Sequence, residues 1–210
     1  MIFFTLHTDV NEHGFNYFNK SIKIILLIDE SGESIVKYPE AYIDYLVEFH
    51  GTRDYFECHE IMEEHWKEDA QDPLTVTWLG LIQVAVSSYH HRRGNRAGAV
   101  KMLHTAIKHS DPQPLSQLGI DATAWIQALQ IRYEALVQQQ EALFTDLNIP
   151  LVDVRLIARC EQRCIEAGLT WCAPSDTSNV ELIHRHKLRD RSEVIAERKR
   201  QLAARHANNA

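Results

Sequence analysis

The sequence predicts an all-α protein: a compact antiparallel bundle of about six to seven helices, with an N-terminal extension and a charged C-terminal helix. Apolar residues recur at helical spacing from Tyr38 onward, capping residues and breakers separate the periodic segments, and the connecting loops are short. The 210 residues, 45% of them hydrophobic, suffice for one sizeable core. We expect an extension at 1–37 that is disordered or docked, a helical domain at 38–172, and a loop with the charged helix at 173–210.

The extension lacks a steady period, because aromatic residues, Asn, Gly and Ser are mixed along it. Residues Ile22–Ile28 form a candidate strand, but no partner strand is evident from the pattern. A lone strand is not stable, so we expect an extension that is disordered or docked on the body.

Start signals mark the first helices of the body. Pro39 suits the first helical position, Asp54 and Asn95 are N-cap residues, and Asp72–Pro73 opens the third helix. The segment Trp78–Val86 is apolar almost all round, which predicts a centrally buried helix.

Later breakers divide the rest of the chain. Asp111–Pro114 is a break, and a long helix is expected from Ala122 to about Leu143. Val154–Leu169 reads as a further helix, and Val180 to about His206 as the last one.

The composition and the apolar pattern of the chain exclude several classes of protein. The formal net charge of −7 argues against a general nucleic-acid binder. No run reaches the roughly 20 apolar residues that a membrane helix needs. The N-terminus lacks the pattern of a secretory signal, so the expected compartment is the cytoplasm.

The C-terminal helix is basic, whereas the rest of the chain is acidic. From Val180 onward the chain carries eight Lys or Arg against four Asp or Glu, with Leu188, Ile195 and Leu202 spaced seven apart. Three uses follow: packing on its own domain, pairing with a partner helix, or contact with RNA or anionic lipid. No aromatic residue interleaves the charges, which disfavours base stacking.

The densest candidate chemistry lies on the second and third helices. His59 and Glu63 stand one turn apart, and Gln83 and His90 project from one stripe of the next helix. If the helices are antiparallel, these four side chains could converge, as ligands do in metal-binding bundles. A divalent metal held by His59, Glu63 and His90 would polarise water for hydrolysis, with Glu60 as a general base.

The structural interpretation of the same residues is an internal polar network. A His–Glu pair at i,i+4 is an ordinary helical contact, and buried Gln and His often satisfy each other. The HExxH zinc spacing and the paired ExxH motifs of di-iron bundles are both absent from this cluster. On this interpretation Gln83, Glu64 and Trp66 support the network.

The motifs resemble those of the bacterial domain-of-unknown-function family 309 (DUF309), and most of all its uncharacterised members from Bacillus-type bacteria. The resemblance rests on five segments: Tyr38–Tyr42, Phe49–Glu60, Glu63–Lys67, Gly80–Ala85 and Tyr89–Ala99. It implies a compact all-α domain with polar signature residues on two adjacent helices. The family's name assigns no activity.

Three functions therefore remain as hypotheses. The first is an association or adaptor domain, acting by self-association or on a protein partner through the C-terminal helix. The second is the metal-dependent hydrolase. The third, with weaker support, is RNA contact through the basic tail and Arg92–Arg93.

Overall fold

The fold is described by a computed structural model for residues 25–28, 34–69, 71–138 and 143–188. These residues form a two-stranded antiparallel pair, eight α-helices and one π-helical turn, which confirms the all-α bundle with slightly more helices than expected. The elements are β1 (Ile25–Ile28), β2 (Ser34–Lys37), α1 (Glu40–Val47), the π-helical turn (Glu48–Thr52), α2 (Tyr55–Glu68), α3 (Thr75–Arg92), α4 (Arg96–Lys108), α5 (Pro112–Gln117), α6 (Ala122–Gln138), α7 (Val154–Glu166) and α8 (Val180–Leu188).

Helix α3 is the centre of the bundle and packs between α2 and α4. Trp78 and Ala85 on α3 are fully buried, as the apolar character of this segment predicts. Around this centre α1 packs on α2 and α7, and α4 packs on α6.

Helices α2 and α3 run antiparallel. The ring of Tyr55, the first residue of α2, lies 4.8 Å from the guanidinium carbon of Arg92 at the end of α3. At the other end, the rings of His65 and Trp78 are 5.3 Å apart. The predicted antiparallel arrangement of these two helices is confirmed.

Two predicted N-caps are confirmed. The Asp54 carboxylate accepts the backbone N–H groups of Phe56 and Glu57, and the Asn95 side chain accepts that of Gly98. Each side chain satisfies amides that have no partner within the helix, which fixes where α2 and α4 begin.

Helix α3 begins at Thr75, two residues later than the Asp72–Pro73 signal predicts. The Asp72 carboxylate accepts the N–H of Leu74, and its carbonyl accepts the N–H of Thr75. Asp72 and Pro73 therefore form a turn that precedes the helix rather than its first residues.

Two further expectations need correction. The candidate strand has a partner, because Ile25–Ile28 pairs antiparallel with Ser34–Lys37. The break at Asp111–Pro114 contains the short helix α5, since Asp111 caps the N–H of Gln113 and Pro112 occupies a first-turn position that needs no N–H donor.

The ends of two long helices lie partly outside the described residues. Helix α6 is described to Gln138 and residues 139–142 lie outside the described residues, but Leu143 is not helical, so the helix ends before the predicted Leu143. Helix α8 is described to Leu188, so its predicted extension toward His206, with Ile195 and Leu202, is not tested. Within the described residues, no helix has the length and apolar character needed to span a bilayer.

Candidate functional site

His59 and Glu63 meet on α2, one helical turn apart. The Nε2 atom of His59 lies 3.5 Å from a carboxylate oxygen of Glu63, and the other oxygen of Glu63 lies 3.0 Å from Nζ of Lys67. Burial lowers the pKa of His59, and the Glu63 carboxylate only partly opposes that shift. The pair is a helical contact shared with a lysine, and Glu60 lies half-buried on the same helix.

Gln83 and His90 have partners on the α4 side of α3. Oε1 of Gln83 lies 3.0 Å from Nδ1 of His109, which follows α4, and Nδ1 of His90 lies 3.0 Å from the side-chain nitrogen of Asn95, which caps α4. The stripe that carries both residues therefore faces α4, and not the pocket shared with α2 that the spacing predicts.

The predicted metal ligands are thus divided between two helix contacts. Among the residues that the structure describes, no three His, Cys, Asp or Glu side chains are grouped closely enough to hold a metal ion. The hydrolase with His59, Glu63 and His90 as ligands stays a prediction from the sequence.

The two remaining supporting residues lie elsewhere on α2. Glu64 is exposed and lines a groove with His65, between α1 and α2. Trp66 is half-buried against the core, and its buried indole N–H has no hydrogen-bond partner among the residues that the structure describes.

A different residue, Arg53, organises the polar interior. It is 2% exposed and has a left-handed backbone with φ of 59°. Its guanidinium donates to the carbonyls of Phe49, Leu147 and Ala173 and to the side chain of Asn148, at 2.7–3.0 Å. One buried side chain therefore joins the start of α2 to two distant loops.

Arg92 and Asp146 extend this network. Arg92 donates to the carbonyl of Arg53 at 2.6 Å and stacks on Tyr55. Asp146 accepts from the hydroxyl of Tyr55 and from the backbone N–H of Ser175, both at 2.7 Å. Burial raises the pKa of Asp146, but hydrogen bonds from Ser175 and Tyr55 and the charge of Arg53 outweigh it, so the net pKa is lowered.

The π-helical turn places a cleft beside this network. Gly51 lies against α7, where an added Cβ would come within 3.0 Å of Sγ of Cys164. The cleft, here named the Asp54 cleft, measures about 580 Å³. Its acidic lining residues are Glu48, Asp54, Glu57 and Asp176, and its apolar ones include Leu169 and Leu182.

The pKa of Glu48 is affected by the surroundings of this carboxyl in the Asp54 cleft. Burial raises the pKa of the Glu48 carboxyl; a hydrogen bond from Thr52 opposes this, while the charges of Asp54 and Glu57 add to it. Carboxyls with shifted pKa values, π-helical turns and non-glycine residues with a left-handed backbone each occur more often at functional sites than elsewhere.

Helix α8 covers one side of the cleft. Arg185 of α8 places Nη1 2.5 Å from Oδ2 of Asp54, and Nδ1 of His186 lies 2.6 Å from the hydroxyl of Tyr89. Arg92 donates to the carbonyl of Leu182 at 3.1 Å. We name the body residues Asp54, Tyr89 and Arg92 the docking face.

The sequence offered partial signals for this site. The sequence predicts Asp54 as a cap, and it marks Arg92 only as part of the basic pair Arg92–Arg93. Asp54 also pairs with a cation because α8 supplies Arg185. Arg92 is only 8% exposed because the loop around Ser175 and α8 lie over it.

Two comparisons with known proteins show what the chain is similar to. A family model described as "Domain of unknown function (DUF309)" matches residues 42–102, which hold α2, α3 and all three residues of the docking face. The chain is also 43% identical over 170 residues to the uncharacterized protein YpuF of Bacillus subtilis (strain 168), covering 80% of this chain and 97% of that relative. No solved structure matches the chain.

Proposed function

Since this chain belongs to the DUF309 family, whose description assigns no activity, we propose that it is an association domain that binds a basic segment of a protein partner. The partner segment binds on the docking face, where α8 lies in this structure. The observation that carries the proposal is how α8 is held, through Arg185, His186 and the carbonyl of Leu182.

Polar contacts of this kind allow a partner segment to replace α8. The Arg185 side chain is 49% exposed, so a cation of the partner can take its place without leaving the buried Asp54 carboxylate unpaired. Val180, at the start of α8, is 62% exposed, and Leu182 and Ile183 are only half-buried. A segment with similar charges can therefore replace α8 at small energetic cost.

The charge distribution supports a basic partner. The chain before Val180 carries 14 basic and 25 acidic residues, whereas the residues from Val180 onward are net basic. Opposite charges on two surfaces speed their encounter and fix their orientation. The metal-dependent hydrolase is not proposed, because the described residues place no third ligand beside His59 and Glu63.

A peptide with the sequence of residues 180–210 is the probe for this function. We expect the fluorescently labelled peptide to bind the full-length protein saturably in an anisotropy titration, and added salt to weaken the complex because charges carry the recognition. The control is a scrambled peptide of identical composition. Absence of saturable binding, or equal binding of the scrambled peptide, would contradict the proposal.

A further inference from the structure

We infer that the Asp54 cleft is a binding site for an arginine side chain of the partner, and that Arg185 is its intramolecular occupant. The inference rests on the proposed function and specifies which chemical group the docking face recognises. It assigns α8 the role of a competitor that the partner must displace.

The central group of the cleft is a carboxylate that requires a cation. The Asp54 side chain is 3% exposed, and one of its oxygens, Oδ1, caps the amides of α2. The other, Oδ2, makes no hydrogen bond of normal geometry among the described residues and faces Arg185 at 2.5 Å. A buried carboxylate without a cation is costly, so this oxygen selects a positively charged group.

The walls of the cleft suit the rest of an arginine. Glu48, Glu57 and Asp176 add negative charge around the carboxylate, and Leu169 and Pro174, which lie outside α8, provide apolar surface for the aliphatic stem. The guanidinium is planar and carries five donors, so it can contact several carboxylates at once, whereas an ammonium acts as a point charge. The cleft is therefore expected to prefer arginine over lysine.

The backbone around the cleft is held in place independently of α8. Arg53, whose carbonyl accepts from Arg92, is fixed by its own hydrogen bonds to the loops at Leu147 and Ala173. The carboxylate of Asp54, the next residue, is therefore positioned before any cation arrives. Such a preformed arrangement lowers the cost of binding.

Arg185 has the properties of a replaceable occupant. It is half-exposed and follows a kink at His184, where φ and ψ are −114° and 20°. A tethered group acts at an effective concentration of about millimolar, which reduces the apparent affinity for a partner without preventing its binding.

Two substitutions on the two sides of this ion pair test the inference in the full-length protein. Arg185→Gln empties the cleft, so the affinity for the 180–210 peptide is expected to rise about tenfold. Asp54→Asn keeps a good N-cap but removes the charge, so the affinity is expected to fall about tenfold. The substitution Arg185→Lys in the peptide is expected to weaken its binding to the Arg185→Gln protein.

The controls separate three effects on peptide binding: the loss of a helix cap, the loss of negative charge from the cleft, and the loss of competition by Arg185. Asp111→Asn alters an exposed cap at α5 and is expected to leave peptide binding unchanged. Glu57→Gln removes charge from the wall without touching the cap, and replaces Asp54→Asn if that protein fails to fold; it is expected to weaken binding about threefold.

The outcomes distinguish the inference from the proposed function. Weaker binding in both Arg185→Gln and Asp54→Asn would mean that the ion pair only stabilises the fold, and would overturn the inference. Equal binding by Arg185→Gln and wild type would overturn the competition while the association function stands. Absence of binding in every protein would overturn both.

Discussion

Replacing Arg53 by alanine is expected to lower the free energy of unfolding by about 3–5 kcal/mol. The substitution removes a buried guanidinium that donates to three carbonyls and one side-chain amide, at 2.7–3.0 Å. Those acceptors lie in the π-helical turn and in two loops, so they lose their common partner at once. An unpaired buried acceptor costs more than the bond contributed when formed.

Urea unfolding followed by circular dichroism measures this loss. Arg53→Lys is expected to recover little of it, because one ammonium cannot reach four separated acceptors as the guanidinium fork does. Arg159→Ala is the matched control: its side chain is 43% exposed and pairs with Glu40, so a loss of about 1 kcal/mol or less is expected. Equal effects at the two arginines would contradict the role assigned to Arg53.

Stability is expected to fall on acidification because of His50, the second large effect. His50 is 1% exposed, and its Nε2 accepts the backbone N–H of Ile149 at 2.9 Å, which requires a neutral ring. Burial, reinforced by the charge of Arg53, lowers the pKa of His50 to about 3. In the unfolded chain the same group titrates near 6.5, so the unfolded state binds the proton first.

The sign and size of the effect follow from that difference. The contribution of neutral His50 is fully present above about pH 6.5 and is lost as the pH falls toward 3, at about 1.4 kcal/mol per pH unit. Between pH 6.5 and 4.5 the wild type should therefore lose roughly 2–3 kcal/mol through this group.

Glutamine at position 50 isolates this contribution, because its side-chain oxygen can accept the same N–H without titrating. Urea unfolding of His50→Gln across this range should show a flatter pH dependence than the wild type. His104→Gln changes an exposed histidine of α4 and should keep the wild-type dependence. Parallel curves for wild type and His50→Gln would refute the assignment.

Local signals in the sequence predicted most of the helices correctly. Asp54 and Asn95 cap α2 and α4 through hydrogen bonds to amides within three residues, so the information is contained in the neighbouring sequence. The apolar segment around Trp78 likewise determines its own burial, because a helix that is apolar all round can only lie inside.

The assignment of side chains to a shared pocket required information that spacing does not hold. Helical periodicity shows that Gln83 and His90 share a stripe, but not which neighbour that stripe faces. Helix α3 packs against both α2 and α4, and the partners His109 and Asn95 are on the α4 side.

The polar network around Arg53 could not be predicted from the sequence, for a related reason. Its acceptors Leu147, Asn148 and Ala173 lie about a hundred residues further along the chain. From the sequence alone, an arginine beside a capping aspartate is expected to be a solvent-exposed loop residue. In the folded protein, those loops cover it. Its burial follows from tertiary contacts that no local pattern records.

The most direct test of the association function is amide hydrogen exchange in isotope-labelled full-length protein, with and without the unlabelled 180–210 peptide. If the peptide takes the place of α8, amides of α8 such as Ile183, which donates to the carbonyl of Asn179, should exchange faster in its presence. The amides of α3 should keep their protection. Peptide binding that leaves the exchange of α8 unchanged or slower would contradict the account, because the partner segment would then bind somewhere other than the docking face.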